Sequence, residues 1–108
     1  MLAPPKAGAV ESLEQTINYL LDYVAKSDAT FIRNGQTYAP QEAVNHIKAK
    51  YGHFRSEIKT PEDFIRLSAS KSLLTGQPYL VQTKDGKKLN LDDWLIAALK
   101  AHRADKHD

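Results

Sequence analysis

The sequence predicts an α+β domain. A small antiparallel sheet built from two β-hairpins, at about residues 30–38 and 79–89, packs with four helices at about 11–26, 40–58, 61–74 and 91–103. Two observations carry this expectation. Asn34-Gly35 and Asp85-Gly86 each sit between short β-prone runs, and both pairs tolerate the positive φ that a tight hairpin turn demands. Around them, apolar residues recur at helical spacing. One domain is expected over 10–103, between a flexible Pro-, Ala- and Gly-rich segment at 1–9 and a flexible tail at 104–108.

In the first helix Leu13, Ile17, Leu20, Leu21 and Val24 share a face, with Tyr19 and Tyr23 beside it. "SDAT" breaks the pattern, and Phe31-Ile32-Arg33 and Gln36-Thr37-Tyr38 flank the first turn. Pro40 suits the first position of the second helix, whose stripe is Ala43, Val44, Ile47, Tyr51, Phe54 and Ile58. Gly52 lies inside that stripe and suggests a kink or close packing. Thr60, Pro61, Glu62 and Asp63 form a helix start, and Phe64, Ile65, Leu67, Ala69 and Leu73 continue it. Gly76 and Pro78 read as its stop. Tyr79–Lys84 and Lys87–Leu89 flank the second turn. Leu91, Trp94, Leu95, Ala98 and Leu99 mark the buried face of the last helix. Trp94, Tyr51 and Phe54 all read as core. Strand, Asn/Asp-Gly turn, strand and helix occur twice in the same order, a weak pseudo-repeat for which two unrelated hairpins obeying one turn rule are the favoured explanation.

Composition excludes several classes. Lys plus Arg is 15 against 13 for Asp plus Glu, a net charge of +2, too small to argue for nucleic acid or an anionic membrane. With no cysteine, disulfides and thiolate metal sites are excluded. No apolar run has the length of a membrane span, and no signal peptide is visible at the start.

Ser68-Ala69-Ser70-Lys71 fits the S-x-x-K pattern of penicillin-recognising serine enzymes, but the partner motifs are absent and Leu74-Thr75-Gly76 lacks the lysine of K-T-G. It reads as a polar face near a helix end. His46 and His53 stand about 10.5 Å apart along a helix, too far for one metal ion, so no metal site is assigned. His102 and His107 read as tail residues without a role. Arg33 precedes the first turn without being required by it. A guanidinium there suits a carboxylate or phosphate, and Ser70, Lys71 and Ser72 would join it if the third helix ended near the hairpin.

The pieces "TFIRNGQTY", "EAVNHIKAKY", "IKTPEDFIRLSASKS", "LTGQPYLV" and "DGKKLNLDDWL", in that order between Thr30 and Leu95, resemble the YfeK-like family of small bacterial periplasmic proteins of unknown function. The resemblance implies a periplasmic or secreted protein whose leader has been removed, although composition is equally consistent with the cytoplasm. It implies no catalytic residues and no cofactor. Arg33, Asn34, Gly35, His46, Lys71, Ser72, Gly76, Pro78 and Tyr79 match the family pattern. Ala29 departs from it, because similar members often carry cysteine just before the F-x-R-N-G segment.

The favoured functional reading is a non-enzymatic envelope module. It binds a small anionic or peptide ligand, or a protein partner, through Arg33, His46, Ser70, Lys71, Ser72 and Tyr79. Asn34, Gly35, Gly76, Pro78, Asp85 and Gly86 are assigned to turns. One alternative is a small hydrolase-like enzyme using Ser70 or Ser72 with Lys71 or His46, which requires a serine hydroxyl in hydrogen-bonding reach of its base. The other is a purely structural or assembly protein using the apolar face of the first helix.

Overall fold

A computed structural model describes residues 11–105. The expected element order is present: α1 (Leu13–Lys26), β1 (Thr30–Arg33), β2 (Gln36–Tyr38), α2 (Pro40–Phe54), a 3-10 turn at Arg55–Glu57, α3 (Pro61–Ser68), β3 (Leu80–Gln82), β4 (Lys88–Asn90) and α4 (Leu91–Asp105). The flexible segment expected at 1–9 lies outside the described residues. So does the tail beyond 105, although α4 itself continues through Asp105. No helix among the described residues is long and apolar enough to cross a membrane.

The two hairpins join into one antiparallel sheet of order β2-β1-β3-β4. Phe31 stands opposite Tyr38 on one side and Val81 on the other, and Val81 opposes Leu89. Side chains alternate across a strand, so this row shares one face. Phe31 and Val81 are buried there, beneath the helices. The core continues through Ile17, Leu20 and Val24 of α1, Val44 and Ile47 of α2, Phe64 and Ile65 of α3, and Leu95 and Leu99 of α4. The apolar face of α1 is therefore consumed inside the domain. Tyr51, Phe54 and Trp94 are half-buried and pack on the rim of this core.

Local chemistry sets the helix starts. Ser12 Oγ accepts from the Gln15 amide while Gln15 Oε1 accepts from the Ser12 amide, a reciprocal cap that begins α1 at Leu13 rather than at Glu11. Thr60 and Asp63 close the same box on α3. At α2, Glu42 Oε1 accepts from the Ala39 amide.

The third helix is shorter than its periodicity suggests, ending at Ser68 rather than near residue 74. Serines compete for backbone groups and so favour turns over helix interiors. Here Ser72 Oγ accepts from the Leu74 amide at 3.2 Å and the Thr75 amide at 3.4 Å. The Tyr79 amide donates to Ser70 O, the Ser72 amide to Gln77 O and the Gly76 amide to Ser72 O. Residues 69–79 thus form a loop closed by its own backbone. Gly76, at φ 74°, turns that loop instead of ending a helix. Leu73 and Leu74, 67% and 88% exposed, project from it rather than entering the core.

The two hairpin turns also differ. Asn34 and Gly35 both have positive φ, 52° and 78°, as a two-residue turn requires. In the second hairpin Gly86 alone does, at 92°. Its amide donates to Thr83 O and the Thr83 amide donates to Lys87 O, which makes a three-residue loop with glycine in the last place. Asp85 serves through its side chain, which accepts from the Thr83 hydroxyl and is held below the ordinary carboxylate range by that bond. The pseudo-repeat is therefore one of order, not of turn geometry.

Three further expectations change. The second helix gives way to the 3-10 turn after Phe54, yet Ile58 is still buried. α2 runs unbroken through Gly52, and a Cβ there would meet nothing within 4 Å. With no packing role for the missing side chain, Gly52→Ala is expected to raise stability by about 0.5–1 kcal/mol, read as a higher urea midpoint at unchanged m-value. His102 has a clear role in tying α4 to α1. Its Nε2 lies 2.8 Å from Glu11 Oε1, which also accepts from Thr16 Oγ1, and its ring stacks on Tyr19 at 3.8 Å.

A second clamp joins α4 to α3, where Arg103 donates to both oxygens of Glu62 at 2.6 and 3.2 Å. Arg103 holds the Glu62 carboxyl below its ordinary range, so the contribution is present at neutral pH and lost as acid protonates Glu62. Both side chains are about half exposed, which limits it to roughly 0.5 kcal/mol.

Candidate functional site

Arg33 is the last residue of β1 and lies two residues past buried Phe31, so it stands on the helix-covered face of the sheet. The register that pairs Ile32 with Leu80 brings Arg33 beside Tyr79. The Tyr79 hydroxyl oxygen, and then that of Tyr38, acts as acceptor for the Arg33 guanidinium and pushes Arg33 above the ordinary arginine value. From the α2 side, Lys50 Nζ donates to the same Tyr79 hydroxyl at 3.2 Å and to Lys71 O at 2.6 Å. His46, one helical turn earlier on α2, meets the Tyr38 ring edge-on at 4.7 Å. Arg33, Tyr38, His46 and Tyr79 surround a cavity of about 20 Å³, with Ile47 and Leu91 as part of its wall. That volume holds about one water molecule. A ligand larger than water would therefore engage this cluster at its mouth.

Four of the six residues singled out from the sequence are affected differently from the two serines. Arg33, His46 and Tyr79 come together, and Lys71 adjoins them through its backbone carbonyl while its exposed side chain forms no ion pair among the described residues. Ser70 Oγ turns to Asp92 Oδ2 at 3.3 Å, which ties the loop to the start of α4. Ser72 is 2% exposed, and its hydroxyl accepts from Asn34 Nδ2 at 3.2 Å as well as from the two loop amides. Neither serine hydroxyl bonds to Lys71 or His46 among the described residues. Ser68, the first serine of the S-x-x-K stretch, is fully buried with its Oγ unpartnered.

Two residues of this region were not visible as participants in the sequence. Lys50 sits in a helical pattern like any surface lysine, and only the tertiary fold sets it over Tyr79. Asn34 has the expected turn backbone, but its side chain does more than the turn requires. Nδ2 donates to Ser72 Oγ while Oδ1 accepts from Thr75 Oγ1 at 2.6 Å, so the hairpin turn grips the loop at both ends of its amide.

The cluster is cationic. Arg33, Lys50 and Lys71 form no ion pair with a carboxylate among the described residues, whereas Lys26, Arg55, Arg66, Lys84 and Arg103 each do. His46 and His53 edge onto different aromatic rings, Tyr38 and Phe54.

A family model described as "Family of unknown function (DUF5329)" matches residues 11–103, nearly all of the described chain. The protein belongs to this family. Within it, the chain is similar to the Uncharacterized protein YfeK of Salmonella typhimurium (strain LT2), at 46% identity over 67 residues, covering 61% of this chain and 56% of that relative. The chain thus spans little more than half the length of the curated relative it matches. No solved structure matches the chain. In this DUF5329 domain, Ala29, where the resemblance leads one to expect cysteine nearby, is a core residue, 6% exposed.

Proposed function

We propose that the protein is a non-enzymatic binding module of the bacterial envelope, and that the Arg33–Lys50 cluster receives a small anionic group, a carboxylate or phosphate. One observation carries the reading. Two half-buried cations from different elements flank Tyr79, Lys50 donating to its hydroxyl at 3.2 Å and Arg33 lining the same small cavity, and neither forms an ion pair with a carboxylate among the described residues. Guanidinium has five donors and ammonium three, and the tyrosines and one carbonyl use only part of them. Unspent charge-assisted donors at a partly desolvated surface favour an anion over water. Tyr38, His46 and Tyr79 supply rigid walls, which lowers the ordering cost of binding.

Inorganic phosphate serves as the probe. In a ¹H–¹⁵N NMR titration, phosphate is expected to shift the Arg33, Tyr79 and Lys50 amides saturably. Chloride at matched ionic strength should not. Arg33→Ala should weaken the effect by about tenfold, the loss of one charge-assisted bidentate contact worth roughly 1.5 kcal/mol. Shifts from phosphate no larger than those from chloride would remove the basis of the reading.

A further inference from the structure

A second, larger hollow lies elsewhere in the fold and shares no residue with the Arg33 cluster. It is an open groove of about 480 Å³, lined by Tyr19, Asp22 and Tyr23 of α1, Asp28 and Thr83 of the neighbouring loops, and Trp94 of α4. That volume is in the range of small-molecule sites. One wall is aromatic. Tyr19 and Tyr23 are one helical turn apart with centroids at 6.3 Å, and the Trp94 ring lies 4.8 Å from Tyr23. The wall is braced at both ends. His102 stacks on Tyr19 at 3.8 Å, and buried Phe31 meets Trp94 edge-on at 5.7 Å. Tyr23 nonetheless remains 37% exposed, and Trp94 is only half-buried. Aromatic surface left open but immobilised is a preformed stacking platform.

The rim identifies the chemistry. Asp22 pairs with Lys26 at 2.8 Å and Asp28 with Lys84 at 4.0 Å, so each carboxylate has its own cation. Counting Lys84, which stands just outside the lining, carboxylates and ammonium groups balance around the groove and offer acceptors and donors side by side. A free anion or a free cation would compete with these exposed pairs and gain little net charge attraction. A neutral ligand with an apolar ring face and many hydroxyls satisfies both features at once, with C–H groups against the rings and hydroxyls bridging carboxylate and ammonium. We propose that the Tyr19–Tyr23–Trp94 groove is a binding site for a neutral saccharide. This inference stands apart from the anion-binding reading.

Trp94 is the single tryptophan of the chain, so its fluorescence reports on this groove alone. The full chain is titrated with triacetylchitotriose and with maltotriose, each to ~20 mM, where a 1 mM site is nearly saturated. A saturable change in Trp94 emission with at least one of them is expected. Tyr23→Ala, at an exposed position, should keep the melting temperature within a few degrees and weaken the response about tenfold. Arg33→Ala should leave it unchanged. Three results would overturn the proposal: no saturable change with either saccharide, an undiminished response in Tyr23→Ala, or saturation by choline chloride with neither saccharide acting. The last would reassign the groove to a cation.

Discussion

Phe64→Ala should lower the stability of the domain by about 3–5 kcal/mol, the usual cost of emptying a buried aromatic site. Phe64 is completely buried, and Tyr51 of α2 meets its ring edge-on at 5.5 Å. Removing the ring deletes transfer free energy and leaves a cavity between α2 and α3. Neither helix can collapse to fill it easily. α3 has only eight residues, is fixed at its start by the Thr60–Asp63 box, and is clamped to α4 through Glu62 and Arg103. A domain of this size is stable by roughly 5–15 kcal/mol, so the loss is a large fraction of the total. Chemical denaturation followed by circular dichroism checks this, since the midpoint should fall with little change in m-value. Phe64→Leu, which retains most of the volume, should lose well under half as much. An equal loss in both variants would show that ring packing is not the source.

Asn34→Ala is the second large effect, expected at about 2–4 kcal/mol. Alanine pays roughly 1 kcal/mol for left-handed backbone that asparagine tolerates, and each lost side-chain hydrogen bond adds about 0.5–1.5 kcal/mol. The two contributions separate cleanly. Asn34→Gly keeps the positive φ and loses only the bonds to Ser72 and Thr75. It should therefore be less damaging than alanine. Both variants should speed amide hydrogen exchange at Ser72 and Gly76, whose bonds close the 69–79 loop. Unchanged exchange there would mean that the loop holds itself without the hairpin.

The sheet and helices were readable from sequence because their causes are local. Ile17, Leu20, Leu21 and Val24 repeat at the helical period, and Asn34-Gly35 has few backbone alternatives. Where the reading failed, the deciding contact was distant or the competing chemistry was quiet. Leu73 continues the stripe of α3 in register, yet Ser72 captures two amides and ends any further helix. His102 looked like a tail residue because its partner, Glu11, is 91 positions away. Lys50 carries no mark in sequence, since what it binds is the carbonyl of Lys71. Arg33 was legible in part. Its residue type and its place beside a turn that does not need it are visible in the sequence, and so is the signal for its placement. Strand parity sets it on the face of Phe31, where a charged residue is an exception that asks for a reason.

The Glu11–His102 contact has a consequence for the shape of the chain's path. It brings the first described residue and the end of α4 to within one hydrogen bond of each other, so the backbone runs nearly as a closed ring. In a ring, no position is privileged as a beginning. The register of the sheet and the docking of the helices depend on the order around the loop, not on where the loop is cut. A chain reopened within the exposed 84–86 turn, with the first and last described residues joined by a linker, is expected to keep the helix docking and the β1–β2 and β1–β3 pairing and to lose only the contacts of that turn and the Asp28–Lys84 pair.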